Sequence, residues 1–417
     1  MAHVMGKPLV SHFSEEQLQN LLCSTHTFKD ASWINRFVFR PYWKWMLEAI
    51  PLNTPPTCLL GLNFSLNILA LFLLIAKNDI SSASSTLPWL YFVCSVLYFA
   101  AFTLAGTDAA GRYLRRENGE IQTAREPQAT SNSAPSPYAS AEYIDRVLDS
   151  VIISIKVLFL FHVLGVGGEN LSYSAAFAML VLVTGCFLVQ QWEGFVTGVY
   201  YSSFFLDSFD VTVFLAFLLK SYFGGSLTWS SLENFGVFGT SISAARLVSS
   251  LFVAGGCLSS FKCICRTLKN SPNGLQTVPF LSLLTLIVSQ ATWLLFPGVP
   301  NVFLFLCWST GVIASNITTE IIFGRMTQSS SIRLNVFSIL AAAFAIFNLL
   351  GLLGSSVGQR KAWIVFSSFV TVCHTVTTVR AARDMITHLL LAVISCFFGH
   401  AGAIFAPVWN QLKKKAK

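Results

Sequence analysis

The chain has 417 residues, of which 54% are hydrophobic and only 11% are charged, with a formal net charge of +8. A soluble domain carries about 25% charged residues, so this composition excludes an ordinary soluble protein and favours an all-α, multi-pass membrane protein. The excess positive charge then fits cytosolic loops, and we expect no nucleic acid among the partners.

The first predicted element is an N-terminal segment, 1–50, that contains the run WINRFVFRPYWKWMLEAI. Its Trp, Phe and Tyr residues are interleaved with Arg and Lys. This mixture favours a helix lying on the membrane surface, with rings in the lipid and cations at the headgroups. An ordinary surface helix is the alternative.

Eleven apolar runs follow along the chain, and several are shorter than the roughly 20 residues that a helix needs to cross a bilayer. We therefore predict about ten transmembrane helices. The runs are 57–76, 88–106, 150–167, 173–190, 208–223, 236–260, 279–297, 302–317, 334–355, 362–379 and 386–408.

Two polar segments interrupt or follow these runs. Segment 117–140 is rich in Ser, Ala, Pro, Glu and Gln, which predicts a flexible, solvent-exposed loop. The chain ends in QLKKKAK, where Lys414 and Lys415 have the spacing of a dilysine retrieval signal for the endoplasmic reticulum membrane. A basic tail that orients the last helix is the alternative. Both interpretations place the C-terminus in the cytosol, and ten crossings would place the N-terminus there too.

Two carboxylates mark the start of one apolar run, in the sequence SAEYIDRVLDSVIIS. Asp145 and Asp149 are four residues apart and share one face of a helix. Neighbouring carboxylates repel each other unless a cation lies between them, and oxygen ligands suit Mg²⁺ or Mn²⁺. Two solvated acids in the first turn of a helix are the alternative. Lys156 lies on the same face and would either neutralise the two acids in place of a metal or extend to the headgroups.

Three segments, in order along the chain, resemble signatures of the eukaryotic choline/ethanolamine phosphotransferases. HTFKDASWINRFVFRPYW (26–43) resembles a signature H-K-Y-x-G-x-D-x-S that is followed by aromatics and P-Y-W. WEGFVTG (192–198) resembles W-E-x-Y-H-T-G, with Val196 at the histidine position. GVIASNITTEIIFGRMT (311–327) resembles G-x-x-x-S-x-x-T-x-x-I-I-x-x-x-M-T. The resemblance covers nearly the whole chain.

That family belongs to the CDP-alcohol phosphotransferases, whose motif is D-x-x-D-G-x-x-A-R, eight residues, then G-x-x-x-D-x-x-x-D. Gly111, Arg115, Asp145 and Asp149 match it in TDAAGRYLRREN and SAEYIDRVLDS. The motif is degenerate, because its first two acids fall on Thr107 and Ala110, with Asp108 one position late. The spacer has grown to 116–140.

The resemblance implies a role for each matching residue. In the family the four acids hold two divalent ions against the CDP diphosphate. Here Asp145, Asp149 and Asp108 would be the metal ligands for Mg²⁺ or Mn²⁺, and Asp149 would be the base that deprotonates diacylglycerol. Gly111, Arg115 and Glu193 would contact the nucleotide or line its entrance.

Two functions of different classes follow from this resemblance. The first is an enzyme that transfers phosphocholine or phosphoethanolamine from CDP-choline or CDP-ethanolamine to diacylglycerol. The second is a catalytically inactive relative that binds lipid or a partner protein. A transporter that uses Lys156 and the two acids as an ion relay is a third, and no inverted repeat supports it.

The resemblance also implies a division of the chain and a homodimer that is formed by the later helices. The predicted parts are an interfacial segment 1–50, a phosphotransferase-like core 51–260, C-terminal helices 261–409 and a basic tail 410–417.

Overall fold

The computed structural model of the chain describes thirteen stretches of residues. They are 27–29, 32–49, 56–77, 88–117, 138–167, 171–223, 236–237, 240–241, 244–270, 277–296, 298–327, 333–353 and 357–384. The predictions for most of the loop 117–140, for the run 386–408 and for the tail with Lys414 and Lys415 lie outside these residues.

The described residues form eleven α-helices and four short strands. The helices are α1 (Arg40–Ala49), α2 (Pro56–Lys77), α3 (Pro88–Glu117), α4 (Tyr138–Leu164), α5 (Tyr173–Thr197), α6 (Phe204–Phe223), α7 (Ala244–Asn270), α8 (Val278–Ala291), α9 (Val299–Met326), α10 (Val336–Leu349) and α11 (Val357–Asp384). A π-helical turn, Asn35–Phe39, leads into α1, and a 3₁₀ turn, Thr292–Leu295, extends α8. The strands are β1 (Thr27–Lys29), β2 (Val199–Tyr201), β3 (Gly236–Val237) and β4 (Thr240–Ser241).

Eight of the described helices are long and apolar enough to cross a membrane, namely α2, α3, α4, α5, α7, α8 with its 3₁₀ turn, α9 and α11. Helix α6 has 20 residues but contains Asp207, Asp210 and Lys220. Helix α10 is apolar and has only 14 residues. The prediction of an all-α, multi-pass membrane protein with about ten membrane helices is confirmed.

The helix boundaries differ from those of the apolar runs. A helix can extend into polar sequence, because its backbone hydrogen bonds form there as well. Helix α4 begins at Tyr138, so Asp145 and Asp149 lie inside the helix rather than at its first turn. Helix α3 runs on to Glu117 and includes the first half of the degenerate motif. Helix α7 is continuous across residue 260, so the predicted boundary there does not separate two helices.

Helices α4 and α9 form the centre of the bundle. In their most apolar stretches 78% and 83% of the residues are buried, against 22% in α7 and in α11. Gly311 of α9 allows the two central helices to touch. A Cβ atom at this position would lie 2.6 Å from Cβ and Oγ of Ser154 on α4. One turn further along, Ser315 Oγ lies 2.5 Å from Ser150 Oγ and 3.1 Å from His374 Nε2 of α11. A close helix contact therefore joins α4, α9 and α11.

Candidate active site

The three segments that resemble the family signatures meet at one end of the bundle. Strand β1 lies in the first segment and pairs in parallel with β2, which directly follows WEGFVTG, so that Phe28 is opposite Tyr200. Gly198 ends α5 with a φ of 69°, a left-handed conformation that favours glycine and turns the chain into β2. The third segment ends at the same place, where Arg325 of α9 approaches α4 and α5.

The N-terminal segment also packs against α3, beside the degenerate half of the motif. Tyr42 Oη lies 2.9 Å from Thr103 Oγ1. Gly106 leaves room for the Trp43 ring, since a Cβ atom there would lie 1.8 Å from the ring. Around the ring the exposed Trp45 and Phe37 face outward, as an interfacial helix requires, and the interfacial role of residues 1–50 stays a prediction.

Thr107 and Ala110 lie where the predicted alignment places the motif's first two acids. The Thr107 side chain is fully buried, and its hydroxyl donates to the Thr103 carbonyl oxygen at 2.6 Å. Ala110 has no side-chain oxygen. In this alignment, neither position supplies a carboxylate for the second of the family's two metal ions. The structure describes the backbone of α3 at Asp108, Gly111 and Arg115 but not the side chains or surroundings of these residues, and their predicted roles stay predictions.

The second half of the motif lies on α4. Asp145 is buried, whereas the Asp149 side chain is 32% exposed. Between them, Arg146 Nη1 lies 3.7 Å from Asp149 Oδ2 and donates to Tyr200 Oη at 3.4 Å. The Arg146 guanidinium also lies 4.4 Å from the centre of the Tyr200 ring. A guanidinium thus already accompanies the two acids.

A second guanidinium, that of Arg325, reaches the same place from α9. Its Nη2 lies 3.6 Å from Glu142 Oε1 on α4, and its Nη1 donates to Gln191 Oε1 on α5 at 3.4 Å. Tyr200 lies near both guanidiniums. Burial raises the pKa of the Tyr200 phenol above its ordinary value, and Arg146 acts in the opposite direction. The phenol therefore stays protonated at neutral pH.

Glu193, in the W-E pair of the second signature, is completely buried. Its two carboxylate oxygens accept hydrogen bonds from Arg266 Nε at 2.6 Å and Nη2 at 2.9 Å, a bidentate ion pair. The Arg266 guanidinium lies 4.5 Å from the centre of the Tyr201 ring. The Glu193 carboxylate is therefore occupied by Arg266. Val196, at the family's histidine position, packs against the apolar core instead.

Lys156 does not neutralise Asp145 and Asp149, which was one of the two alternatives that the sequence left open. Its Nζ lies 2.6 Å from Asp210 Oδ1 on α6, and Tyr98 of α3 donates to the same oxygen at 2.9 Å. The reason is distance along the helix, because seven residues at 1.5 Å each place Lys156 roughly 10 Å beyond Asp149. The ion pair belongs to the middle of the bundle.

The described residues contain no group of three or more His, Cys, Asp and Glu side chains that could hold a metal ion. Asp145 and Asp149 are two of the predicted ligands, and two carboxylates fit one divalent ion better than two. The assignment of Asp108, Asp145 and Asp149 to a metal stays a prediction.

Sequence reasoning missed Arg325, Arg266, Tyr200 and Arg146. A signal for Arg325 was available, because an arginine inside a membrane helix usually marks a functional position. No sequence signal indicated that Arg266 pairs with Glu193, since the two lie on different helices that only packing brings together.

Comparison with known proteins supports the resemblance, although no family model matches the chain. The chain is 22% identical to human "Ethanolaminephosphotransferase 1" over 394 residues, which is 90% of this chain and 92% of the human protein. It is 24% identical to the mouse protein of the same name over 340 residues, 78% and 79% of the two chains. It is 22% identical to Xenopus laevis "Cholinephosphotransferase 1" over 303 residues, 69% and 68% of the two chains.

These relatives confirm the family that the three signatures indicate, while the degeneration of its motif in this chain stays a prediction. Over most of its length the chain is thus similar to ethanolaminephosphotransferases and, at comparable identity, to a cholinephosphotransferase.

Proposed function

We propose that this chain is an aminoalcohol phosphotransferase of phospholipid biosynthesis. It would transfer phosphocholine or phosphoethanolamine from CDP-choline or CDP-ethanolamine to diacylglycerol and release CMP. The observation that carries the proposal is the meeting of all three signature segments around one polar cluster, where β1 pairs with β2 and Arg325 approaches Glu142 and Gln191. Two guanidiniums and three carboxylates lie together at this end of the bundle, which supports a site for a charged substrate.

The acids of α4 fit one divalent ion. Asp145 and Asp149 supply carboxylate oxygens from one helix face, and Asp108 would add a third ligand from α3. When bound, Mg²⁺ or Mn²⁺ would reduce the negative charge of the diphosphate and so ease the approach of a nucleophile.

Asp149 is our proposed base. Its carboxylate is one-third exposed, and Arg146 Nη1 lies 3.7 Å from its Oδ2, a long distance for an ion pair. It would take the proton from the diacylglycerol hydroxyl as that oxygen bonds to the phosphorus atom that carries the aminoalcohol. The bond from this phosphorus to the bridging oxygen breaks, and CMP leaves with the electron pair.

Glu193, Gly111 and Arg115 complete the proposed nucleotide site. Glu193 would act through Arg266, which it holds against the Tyr201 ring. Gly111 and Arg115 lie on α3, at the same end of the bundle as α4's acids, and Arg115 would add a cation for a phosphate oxygen.

The proposed setting is the endoplasmic reticulum membrane, with the site and both termini on the cytosolic side, where CDP-alcohols are found. The dilysine spacing of Lys414 and Lys415 supports this location. A homodimer formed through the later helices stays part of the proposal.

The proposal is tested with the purified full-length chain in lipid nanodiscs that contain diacylglycerol. CDP-ethanolamine or CDP-choline is added with Mg²⁺ or Mn²⁺, and CMP release is measured. We expect turnover that depends on the metal and on which CDP-alcohol is supplied. The variant Asp149→Asn should abolish this turnover.

The matched control is Asp384→Asn, which removes an acid at the end of α11 that lies 3.2 Å from Nη2 of its neighbour Arg383. This variant should turn over like the wild type. An absence of CMP release with both CDP-alcohols, from protein that keeps its thermal transition, would favour the inactive lipid-binding relative instead.

A further inference from the structure

Arg325 is a buried cation whose hydrogen-bonding capacity is largely unused. Its side chain is only 4% exposed. The contacts to Gln191 and Glu142 are long, at 3.4 and 3.6 Å, and Nε and Nη2 have no hydrogen-bond partner among the described residues. A guanidinium carries five N–H donors, and a buried charge with unmet donors is unfavourable unless a ligand meets them.

Arg146 is in a similar state on the facing helix. Its Nε has no hydrogen-bond partner among the described residues, and its Nη1 contacts Asp149 and Tyr200 at the long distances of 3.7 and 3.4 Å. The side chain as a whole is 21% exposed, although its Nε atom is buried. Both guanidiniums lie near Tyr200, and they act on each other electrostatically.

The chain keeps space for the Arg325 guanidinium on α5. Gly194 lies directly beneath it, because a Cβ atom there would be 3.2 Å from Arg325 Nη1 and 3.6 Å from Cδ2 of Tyr200. The glycine, the arginine and the tyrosine are therefore fitted to one another. This arrangement indicates that the surrounding residues are shaped to hold the Arg325 guanidinium in a defined position.

The charges around the two arginines favour an anionic ligand that arrives with a cation. Glu142, Asp145 and Asp149 carry three negative charges, and one divalent ion alone would leave the acids in excess. With Arg146 and Arg325 included, the net charge of the three acids, the divalent ion and the two arginines becomes positive. Phosphate oxygens match the planar arrangement of N–H donors on a guanidinium.

We propose that Arg325 and Arg146 bind phosphate oxygens of the ligand and supply the positive charge that a second divalent ion would otherwise bring. This inference rests on the proposed function, because it places the ligand at the same acids. It explains why Thr107 and Ala110 can stand where two acids would hold that second ion. The shared chemistry is a phosphate ester, which either a nucleoside diphosphate or a phospholipid headgroup can supply.

The test measures binding, not turnover, on the full-length protein in detergent. The probes are CDP and dihexanoyl phosphatidylethanolamine, each with Mn²⁺, and cytidine serves as the probe without phosphate. The variants are Arg325→Gln and, as matched control, Arg383→Gln, an exposed arginine on α11. The thermal transition without ligand and the number of Mn²⁺ ions bound per chain with CDP are recorded for each protein.

We expect the wild type to bind one Mn²⁺ per chain with CDP, and Arg325→Gln to weaken CDP binding about tenfold to a hundredfold. Without ligand, Arg325→Gln should unfold at a higher temperature than the wild type, because an unsatisfied buried charge has been removed. A purely structural arginine would give the opposite shift. Arg383→Gln should change neither measurement.

If Arg325→Gln weakens binding of the phosphatidylethanolamine probe but not of CDP, the phosphate comes from the lipid. Two Mn²⁺ ions per wild-type chain, or unchanged binding of both probes to Arg325→Gln, would overturn the inference. If Arg325→Gln fails to fold, Arg325→Lys is used instead. This variant keeps the positive charge but lacks the planar pair of N–H donors, so it should still weaken CDP binding. Loss of turnover with Arg325-dependent CDP binding intact would count against the proposed function alone.

Discussion

The arginine pairs of this protein differ sharply between two neighbouring regions. Around Glu193, Arg266 makes two short hydrogen bonds, at 2.6 and 2.9 Å, to one buried carboxylate. Around Tyr200, Arg146 and Arg325 approach their acids at 3.7 and 3.6 Å, and several of their N–H groups have no described partner. In the first region the carboxylate is fully paired, so Glu193 can act only by positioning Arg266, whereas in the second region the guanidiniums keep N–H groups for which we propose a ligand.

The same contrast extends to Lys156. Its 2.6 Å contact with Asp210, supported by Tyr98, is a complete pair in the middle of the bundle. It leaves Lys156 unable to serve the acids of α4. Short contacts thus mark the charges that stabilise the fold, and long contacts mark the charges that we assign to function.

The largest effect on stability should come from breaking the Glu193–Arg266 pair. Arg266→Ala leaves the Glu193 carboxylate buried and uncompensated, which should lower the free energy of unfolding by about 3–5 kcal/mol. The double variant Glu193→Gln, Arg266→Gln should recover most of that loss, because no charge remains buried. Chemical unfolding of the purified chain, followed by tryptophan fluorescence, measures both. Equal losses in the single and double variants would contradict the assignment.

Breaking the Lys156 pair should have the next largest effect. Asp210→Asn removes the partner of a half-buried ammonium and should destabilise the protein by about 1.5–3 kcal/mol. Adding Lys156→Met should restore part of the stability, since the remaining side chain is apolar and of similar length. The comparison uses the same unfolding measurement. If Lys156→Met alone also left CDP binding weakened, the separation of the two regions would be wrong.

Gly311→Ala tests the contact that holds α9 against α4, and with it the positions of Arg325 and Arg146. A methyl group 2.6 Å from Ser154 should push the helices apart and destabilise the protein by about 1–3 kcal/mol. The matched control is Gly61→Ala on α2, where no atom lies within 4 Å of the new Cβ. This control should be neutral or slightly stabilising. Thermal unfolding of the two variants side by side distinguishes them.

The smallest effect on stability is expected for Arg146→Gln. Its ion pair with Asp149 is long and partly exposed, and such pairs contribute about 0–1 kcal/mol. The same variant should weaken CDP binding in the presence of Mn²⁺, because the guanidinium faces the ligand. Isothermal titration and thermal unfolding of one preparation test the two expectations together. A large loss of stability with unchanged binding would place Arg146 with Arg266, among the structural cations.

Much of the site followed from local sequence. The apolar runs indicated the membrane helices, and the spacing of Asp145 and Asp149 placed both acids on one helix face. The three signatures indicated the family, and the similarity to known phosphotransferases bears this out. The helix ends were less accurate, because hydropathy does not register the polar turns with which α3 and α4 extend beyond the apolar core.

The amino-acid sequence by itself determined that this is an all-α membrane protein with an acidic pair on one helix, and it predicts that Thr107 and Ala110 stand in place of two acids. Only the tertiary structure decided which cation each acid meets. A helix period fixes the face on which Lys156 or Arg325 lies, but it carries no information about which other helix packs against that face. That choice depends on close contacts such as those at Gly311 and Gly194, which bring distant parts of the chain to within a few ångströms.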